Sequence, residues 1–270
     1  MTRYHKLTTE AYSPGQITLS KRKGWLHSFL YQLFPDRCLF CRDIIPISSL
    51  NPLCSTCQKN YSAGGRICPN CESFFREEPP CSCIVKSISL EGLFFAALYD
   101  QSWRKLIHEL KYRNRRAVIR PLAIWLAFEI LNNRYCKPDL IVPVPLHPVR
   151  ERERGYNQAA LLARNMAQVL KVPWRGNLLF KAINTRSQTS ISRYDRQSNV
   201  RGVFKCRPEK YNKSTILLVD DVYSTGATMK EAALALKNKT GARVFGAAIA
   251  YNPNIRAIQR TGFYAGLEKW

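Results

Sequence analysis

The 270-residue sequence lacks any long apolar run, and its amino terminus lacks the features of a secretory signal. No stretch approaches the ~18–20 uninterrupted apolar residues that a membrane-spanning helix needs, which argues against a membrane span. The first residues contain neither the apolar core nor the small-residue cleavage site of a signal peptide. We therefore expect a cytoplasmic protein.

Acidic side chains are also scarce: 19 Asp and Glu stand against 42 Lys and Arg, a formal net charge of +23. Residues 1–90 carry 11 basic and 6 acidic side chains, which is +5 and leaves +18 for residues 91–270. A surface this positive attracts polyanions in a salt-dependent way. Charge alone leaves open whether the partner is nucleic acid or whether the charge serves solubility.

Cysteine is concentrated in one region, because eight of the ten cysteines fall between positions 38 and 83. A reducing cytoplasm disfavours disulfides, and the alternative of a secreted disulfide scaffold has no signal peptide to support it. Two Cys-x-x-Cys turns about a dozen residues apart can surround Zn²⁺ with four thiolates, a closed and therefore structural site. A first quartet fits this pattern, whereas a second includes a tighter Cys-x-Cys pair and indicates a possible second zinc. The first quartet is Cys38, Cys41, Cys54 and Cys57, and the second is Cys68, Cys71, Cys81 and Cys83.

The chain divides into three predicted parts. Residues 1–24 form a polar, unpatterned tail that we expect to be disordered. Residues 25–87 hold an amphipathic helix and the cysteine module. We expect the apolar stripe of this helix to pack on the body of the protein, although binding to a membrane surface is the alternative. Residues 88–270 alternate apolar strands with helices, the first of which we expect to begin at Ser102 as its N-cap. This alternation predicts an α/β domain with a mostly parallel sheet and helices on both faces.

Two adjacent aspartates follow an apolar run in the segment "ILLVDDVYSTGATM" at 216–229. Asp220 and Asp221 can accept hydrogen bonds from two vicinal hydroxyls, as on a ribose, and can help to hold Mg²⁺. The hydroxyl-rich turn after them opens onto a helix, whose amides and dipole predict a phosphate site. The alternative is a capping turn with a chance acidic pair. The turn comprises Ser224, Thr225, Gly226, Ala227 and Thr228.

This segment resembles the phosphoribosyl-pyrophosphate (PRPP) motif of type I phosphoribosyltransferases. With the cysteine module and three further segments, it is similar to the ComF family of competence-associated proteins. Those segments read "KLIHELKYRN", "DLIVPVPLHPVRERERGYNQA" and "RSQTSISRYDRQSNVRGVF". The resemblance implies a type I phosphoribosyltransferase-like fold, a small N-terminal four-cysteine zinc-finger module with structural Zn²⁺, and PRPP with Mg²⁺ as the ligand.

The resemblance also implies a role for each segment. Asp220 and Asp221 would hold the ribose hydroxyls, and the following turn would hold the 5′-phosphate. The prolyl turn after "DLIVPVP" would be the pyrophosphate loop, where guanidinium groups suit paired phosphate oxygens, although a solvated charged face is the alternative. The third segment would be a mobile loop that folds over PRPP, although it could be an ordinary surface loop. The predicted anion contacts are His147, Arg150 and Arg154 in the pyrophosphate loop and Arg186, Arg193 and Arg196 in the mobile loop.

The sequence leaves two functions open. In several purine phosphoribosyltransferases an aspartate before the "TG" of the phosphate turn acts as general base, but here Ser224 occupies that position, so no catalytic residue is identified. The first function is a PRPP-binding protein of DNA uptake and natural transformation, which binds single-stranded DNA and works with DNA-uptake machinery proteins. The second is an active phosphoribosyltransferase of nucleobase salvage. Residues 101–120 contain seven basic side chains and one acid, interleaved with Trp103 and Tyr112, a composition that favours the DNA-binding function. Trp103 lies on an apolar stripe, however, which is more typical of a core residue.

Overall fold

The computed structural model describes residues 35–46, 52–61, 64–75, 89–113, 115–182, 202–209, 211–212 and 214–253. The chain forms two compact units, Met1–Ala63 and Gly64–Trp270. The predicted tail and amphipathic helix lie outside the described residues. The domain boundaries expected after residues 24 and 87 stay predictions, since both fall in segments outside that description.

The first unit is a small cysteine-rich fold. An antiparallel bridge joins Arg37 to Ile44, and the tight turn between them is closed by a 2.8 Å hydrogen bond from the Cys38 amide to the Asp43 carbonyl. A helix, α1 (Ser55–Tyr61), follows. The buried apolar side chains among its described residues are few, which is typical of a module that needs a further stabilising element such as a metal. These side chains include Leu39, Ile45 and Leu53.

The second unit is built on a six-stranded sheet with the order β2-β1-β3-β8-β7-β4. Strands β3, β8, β7 and β4 run parallel, while the β1–β2 hairpin is antiparallel to β3. The sheet strands are β1 (Gly65–Ile67), β2 (Phe74–Phe75), β3 (Leu93–Leu98), β4 (Leu140–Pro143), β7 (Thr215–Tyr223) and β8 (Arg243–Tyr251). Strands β5 (Leu179–Lys181) and β6 (Phe204–Cys206) form a separate antiparallel pair. The predicted α/β architecture with a mostly parallel sheet is confirmed.

Helices cover both faces of this sheet. The helices are α2 (Gln101–Tyr112), α3 (Ile119–Leu131), α4 (Pro148–Arg154), α5 (Gln158–Leu170) and α6 (Ala227–Thr240), with a 3₁₀ turn at Arg116–Val118 before α3. Helix α6 packs on one face with Ile216 and Leu218 of β7 in its core cluster. The alternate residues Leu217 and Val219 are buried on the other face, on which α3 and α5 pack together.

Helix α2 begins earlier than the sequence indicates, so the prediction of Ser102 as its N-cap is wrong. Asp100 caps the helix, because its carboxylate accepts a 2.8 Å hydrogen bond from the Trp103 amide. The negative charge of Asp100, two residues after the end of β3, suits the amino terminus of the helix better than a neutral serine hydroxyl does. Trp103 is fully buried with its ring 5.6 Å from that of Trp125, whereas Tyr112 is 60% exposed. Each helix in the described ranges is too short or too polar to cross a bilayer.

Candidate functional site

A cavity of about 640 Å³ opens where the four parallel strands of the second unit end. It is lined by Tyr99 after β3, Val144 after β4, Asp220 in β7 and Asn252 after β8. The carboxyl edge of an open α/β sheet is where ligands of such folds bind. Basic groups outnumber acidic groups in its lining, which suits an anionic ligand. The charged lining residues are Arg104, Lys111, Arg150, Arg154, Lys181, Asp220 and Asp221.

The acidic pair lies inside strand β7, which continues through Tyr223. The Asp221 amide donates a 2.8 Å hydrogen bond to Oδ1 of Asp220, and Asp221 is 8% exposed. Burial, aided by repulsion from the neighbouring Asp221, raises the pKa of Asp220 to about 7. The cavity therefore holds one carboxyl whose charge changes near neutral pH, and a cation bound beside it would favour the ionised form.

Lys111 of helix α2 holds the second aspartate. Its Nζ lies 2.8 Å from Oδ2 of Asp221, and both side chains are largely buried. Burial by itself would lower the pKa of Lys111, but the attraction of Asp221, with a smaller contribution from Asp220, outweighs it and raises the pKa. Lys111 is thus a charged group that bridges α2 and the carboxylates of β7.

The turn after the acidic pair has the backbone geometry that the sequence suggests. Gly226 is the N-cap of α6 with φ of 74°, and a Cβ at this position would lie 2.2 Å from the hydroxyl of Tyr223. That hydroxyl is fixed by a 3.4 Å hydrogen bond to the Pro69 carbonyl. Glycine is therefore required here by both conformation and space. The first-turn amides of α6 have no acceptor within the helix, and that of Ala227 donates a 3.4 Å hydrogen bond to Oγ1 of Thr225. The turn lies at the cavity, which is lined by Ser224, Thr225, Gly226, Ala227 and Thr228.

The predicted pyrophosphate loop contains a short helix, α4, that sequence analysis treated as part of a turn. Arg150 and Arg154 line the cavity, whereas His147 does not. Nδ1 of His147 instead caps α4 by accepting a 3.3 Å hydrogen bond from the Val149 amide. Arg150 also forms a 3.0 Å ion pair with the exposed Glu153. The solvated charged face that was the alternative to an anion-binding loop is therefore present on α4 as well.

The segment Gly155 to Gln158 fixes the approach of the two helices α4 and α5. Gly155 ends α4 with φ of 79°, and Asn157 caps α5 while donating a 3.0 Å hydrogen bond to the Val144 carbonyl. Gln158 is 2% exposed, and its Oε1 accepts a 2.7 Å hydrogen bond from Nη1 of Arg154. Its Nε2 is buried and has no hydrogen-bond acceptor within the described part of the chain, and other atoms of the residue line the cavity.

Lys181 at the end of β5 is a further cation at the cavity. Burial lowers its pKa, as does the nearby Arg150, while Asp220 acts in the opposite direction. The β5–β6 pair leads into and out of the predicted mobile loop. The predicted contacts Arg186, Arg193 and Arg196 lie outside the residues that the structure describes, and their roles stay predictions.

Four thiols meet in the first unit, as the first cysteine quartet predicts. The Sγ atoms of Cys38, Cys41, Cys54 and Cys57 all lie within 4.8 Å of one another, and those of Cys41 and Cys54 are 3.5 Å apart. A tetrahedral zinc with Zn–S bonds of about 2.3 Å separates its sulfurs by about 3.8 Å, so this donor set fits the ion with little movement. Burial opposes ionisation of Cys38, yet hydrogen bonds from backbone amides outweigh it and lower its pKa to about 7.

The second quartet is only partly described. Cys68 and Cys71 lie in the turn between β1 and β2, where Cys68 is buried and Sγ of Cys71 contacts Oγ of Ser73 at 3.1 Å. Cys81 and Cys83 lie outside the described residues, so the second zinc stays a prediction. Cys136 and Cys206 are buried thiols.

Sequence reasoning did not select Lys111, Lys181 or Gln158 as site residues. Lys111 lies in the segment "KLIHELKYRN" that carries part of the resemblance, and its position one helical turn after Ile107 put it on the inner edge of α2. Gln158 also lies in a segment that carries the resemblance, "DLIVPVPLHPVRERERGYNQA", but its residue type alone did not mark it as a site residue. Lys181 has no such signal, because the pairing of β5 with β6 brings it to the cavity.

Comparison with known proteins agrees with this geometry. The phosphoribosyl transferase domain family matches residues 156–268. Competence protein F of Haemophilus influenzae is 29% identical over 77% of this chain and 93% of its own length. DNA utilization protein YhgH of Salmonella typhimurium is 30% identical over 76% of this chain and 92% of its own, and competence protein ComFC of Bacillus subtilis is 27% identical over 78% and 82%.

These relatives match most of this chain, and they do so over nearly their whole length. With the cysteine cluster of the first unit and the parallel sheet of the second, the similarity goes beyond a shared domain. The chain belongs to the ComF family of competence-associated proteins, in which a type I phosphoribosyltransferase-like domain follows an N-terminal cysteine module in the sequence.

Proposed function

We propose that this protein binds PRPP with Mg²⁺ in the strand-edge cavity and acts in the uptake and handling of single-stranded DNA. The observation that carries the proposal is the convergence of the acidic pair, the amide-rich turn of α6 and two loop arginines on one cavity. The names of the relatives, competence protein and DNA utilization protein, support the DNA role.

Each part of PRPP has a chemically matched partner. Asp220 and Asp221 would accept hydrogen bonds from the ribose hydroxyls and supply oxygen ligands to Mg²⁺. The turn Ser224 to Thr228 would receive the 5′-phosphate at the helix terminus. Arg150 and Arg154 would contact the pyrophosphate, with Lys181 beside them. Zn²⁺, held by the first cysteine quartet, would serve only to stabilise the first unit.

Titration calorimetry with PRPP and Mg²⁺, and fluorescence anisotropy with a labelled single strand over a salt series, test both parts on the same protein. We expect wild type to bind both ligands and the double variant Asp220→Asn/Asp221→Asn to lose PRPP. Retention of salt-dependent DNA binding by the variant would indicate two sites, whereas competition between PRPP and DNA would indicate one. Wild type that binds no PRPP would refute the cavity assignment.

A second function, catalytic transfer of ribose 5-phosphate to a nucleobase, is favoured by the match of residues 156–268 to the phosphoribosyl transferase domain. Ser224 lacks the proton affinity of a general base, so such a reaction would depend on another group or on a base that needs no deprotonation. Release of pyrophosphate from PRPP on addition of individual nucleobases would establish this activity. Its absence with every common base would favour the binding function.

A further inference from the structure

The mouth of the cavity carries an exposed aromatic ring within a set of basic groups. Tyr112, at the end of α2, is 60% exposed and lines the cavity. Its ring lies 4.6 Å from that of His108, and the guanidinium of Arg154 lies 5.4 Å from its centroid. An exposed aromatic held by a histidine and an arginine is an arrangement onto which a further planar group can stack.

The same cluster continues into a buried hydrogen-bond donor. Arg154 donates at 2.7 Å to Oε1 of Gln158, and this bond fixes the orientation of the Gln158 amide. Nε2 of Gln158 is buried and has no acceptor among the described residues, while the residue itself lines the cavity. A buried donor left unpaired destabilises a fold, so its presence at a cavity indicates that a ligand oxygen completes it.

The charge around Tyr112 selects the class of ligand. Helix α2 carries the exposed Arg104 on the cavity side. Two further exposed cations are Lys105 on the same helix and Arg113 directly after it. A long polyanion can extend from the cavity along this basic face. A free base or a single PRPP molecule is too small to need these cations, so they favour a nucleic-acid strand. Tyr112 is also too exposed for a ligand that must be enclosed for chemistry, since small-molecule sites bury most of their ligand.

We propose that Tyr112, supported by His108 and Arg154, stacks a nucleobase of single-stranded DNA at the cavity mouth while Gln158 donates to an oxygen of the same strand. The inference rests on the proposed DNA function and gives it a location. It adds to the PRPP site two residues, Tyr112 and Gln158, that are not assigned to the sugar or its phosphates, while Arg154 is shared by both. The basic face of α2 then supplies phosphate contacts, which fix the strand without reading its sequence.

The test compares two strands of about ten nucleotides, within the roughly 4–16 that one single-strand module covers, one of thymidine and one abasic with the same number of phosphates. We expect wild type to prefer the thymidine strand, and Tyr112→Leu to lower its affinity for that strand about tenfold, or about 1.4 kcal/mol. The same variant should bind the abasic strand as wild type does, with an unchanged salt dependence. Trp174→Leu is the matched control, since Trp174 is an aromatic that is 36% exposed and does not line the cavity.

Gln158→Met gives an independent test of the donor. We expect it to weaken strand binding several-fold while leaving the melting temperature unchanged or higher, because it removes an unpaired buried amide. A lower melting temperature with unchanged affinity would assign Gln158 a structural role and overturn this part of the proposal.

The outcomes separate the two levels of inference. If wild type binds neither strand at low salt, the DNA function itself fails. If wild type binds both strands equally, or Tyr112→Leu behaves as Trp174→Leu does, DNA binding stands and the stacking site is refuted. If thymidine monophosphate binds and Tyr112→Leu removes that binding while neither strand competes, the ring belongs to a site for a small acceptor rather than for DNA, which also refutes the proposal.

Discussion

Replacing Asp220 by Asn is expected to stabilise the folded protein at alkaline pH. Burial gives this carboxyl a pKa of about 7 in the folded state, against an ordinary value of 3.8 for the free side chain. The folded state therefore holds the proton more tightly than the unfolded chain does. The resulting stability is fully present below about pH 3.8 and is lost as the pH rises from there through about 7, where the half-buried carboxyl ionises in the folded protein.

The size of the effect follows from that interval. The pKa rises from 3.8 to about 7 on folding, and each unit of pKa corresponds to about 1.36 kcal/mol. Ionisation of Asp220 therefore removes about 4 kcal/mol from the free energy of unfolding. We expect Asn to recover about 1–2 kcal/mol of this at pH 8, because its amide is itself polar and still partly desolvated. For a unit of this size the melting temperature would rise by about 2–8 °C. At pH 5 the folded carboxyl is neutral and only about 1.6 kcal/mol of this penalty applies, so the gain should disappear or become a loss of about 1 kcal/mol.

Thermal unfolding of metal-free protein at pH 5 and pH 8 measures this difference. Asp221→Asn is the matched control, since it removes the 2.8 Å ion pair with Lys111 and should lower the melting temperature at both pH values. An Asp220→Asn variant that melts at or below the wild-type temperature at pH 8 would refute the reasoning, as would an equal gain at pH 5. Agreement would mean that stability is sacrificed at this site for ligand binding.

Three further predictions concern the cavity and the cysteine cluster. Lys111→Met should weaken PRPP–Mg²⁺ binding and lower the melting temperature by several degrees, whereas Lys111→Arg should retain most of both; equal losses in calorimetry and unfolding for the two variants would contradict a role of charge. Gly226→Ala should cost about 1–3 kcal/mol from left-handed strain, plus the clash with the tyrosine hydroxyl, and should impair phosphate binding. Gly202→Ala, at φ of 69° with nothing within 4 Å, should cost the strain alone in denaturant unfolding, so equal costs would exclude the clash. Cys57→Ala should remove about one bound zinc per chain by metal analysis, while Cys136→Ala should not; unchanged zinc in the first variant would exclude the quartet as the ligand set.

The order of strands and helices could be predicted because periodicity is a local property. The apolar runs at 140–144 and 216–219 indicate buried strands, and both belong to the parallel sheet. Helix α4 was not predicted, since it is seven residues long and rich in charge, without an apolar stripe to indicate it. The β1–β2 hairpin was not predicted, because its residues were interpreted only as part of a cysteine module, although β1 pairs with β3.

By itself, the sequence determined the family, the first cysteine quartet and the glycine turn before α6, because each of these depends on residue types at fixed short spacings. Residues this close in the chain are held near one another by its covalent connection. Their grouping can therefore be predicted without knowing how distant elements pack. Only the tertiary structure decided that Lys111 faces Asp221, that His147 does not line the cavity, and that the exposed ring of Tyr112 does. These relations join residues of separate elements, and their distances are set by how the elements pack, which no local pattern encodes.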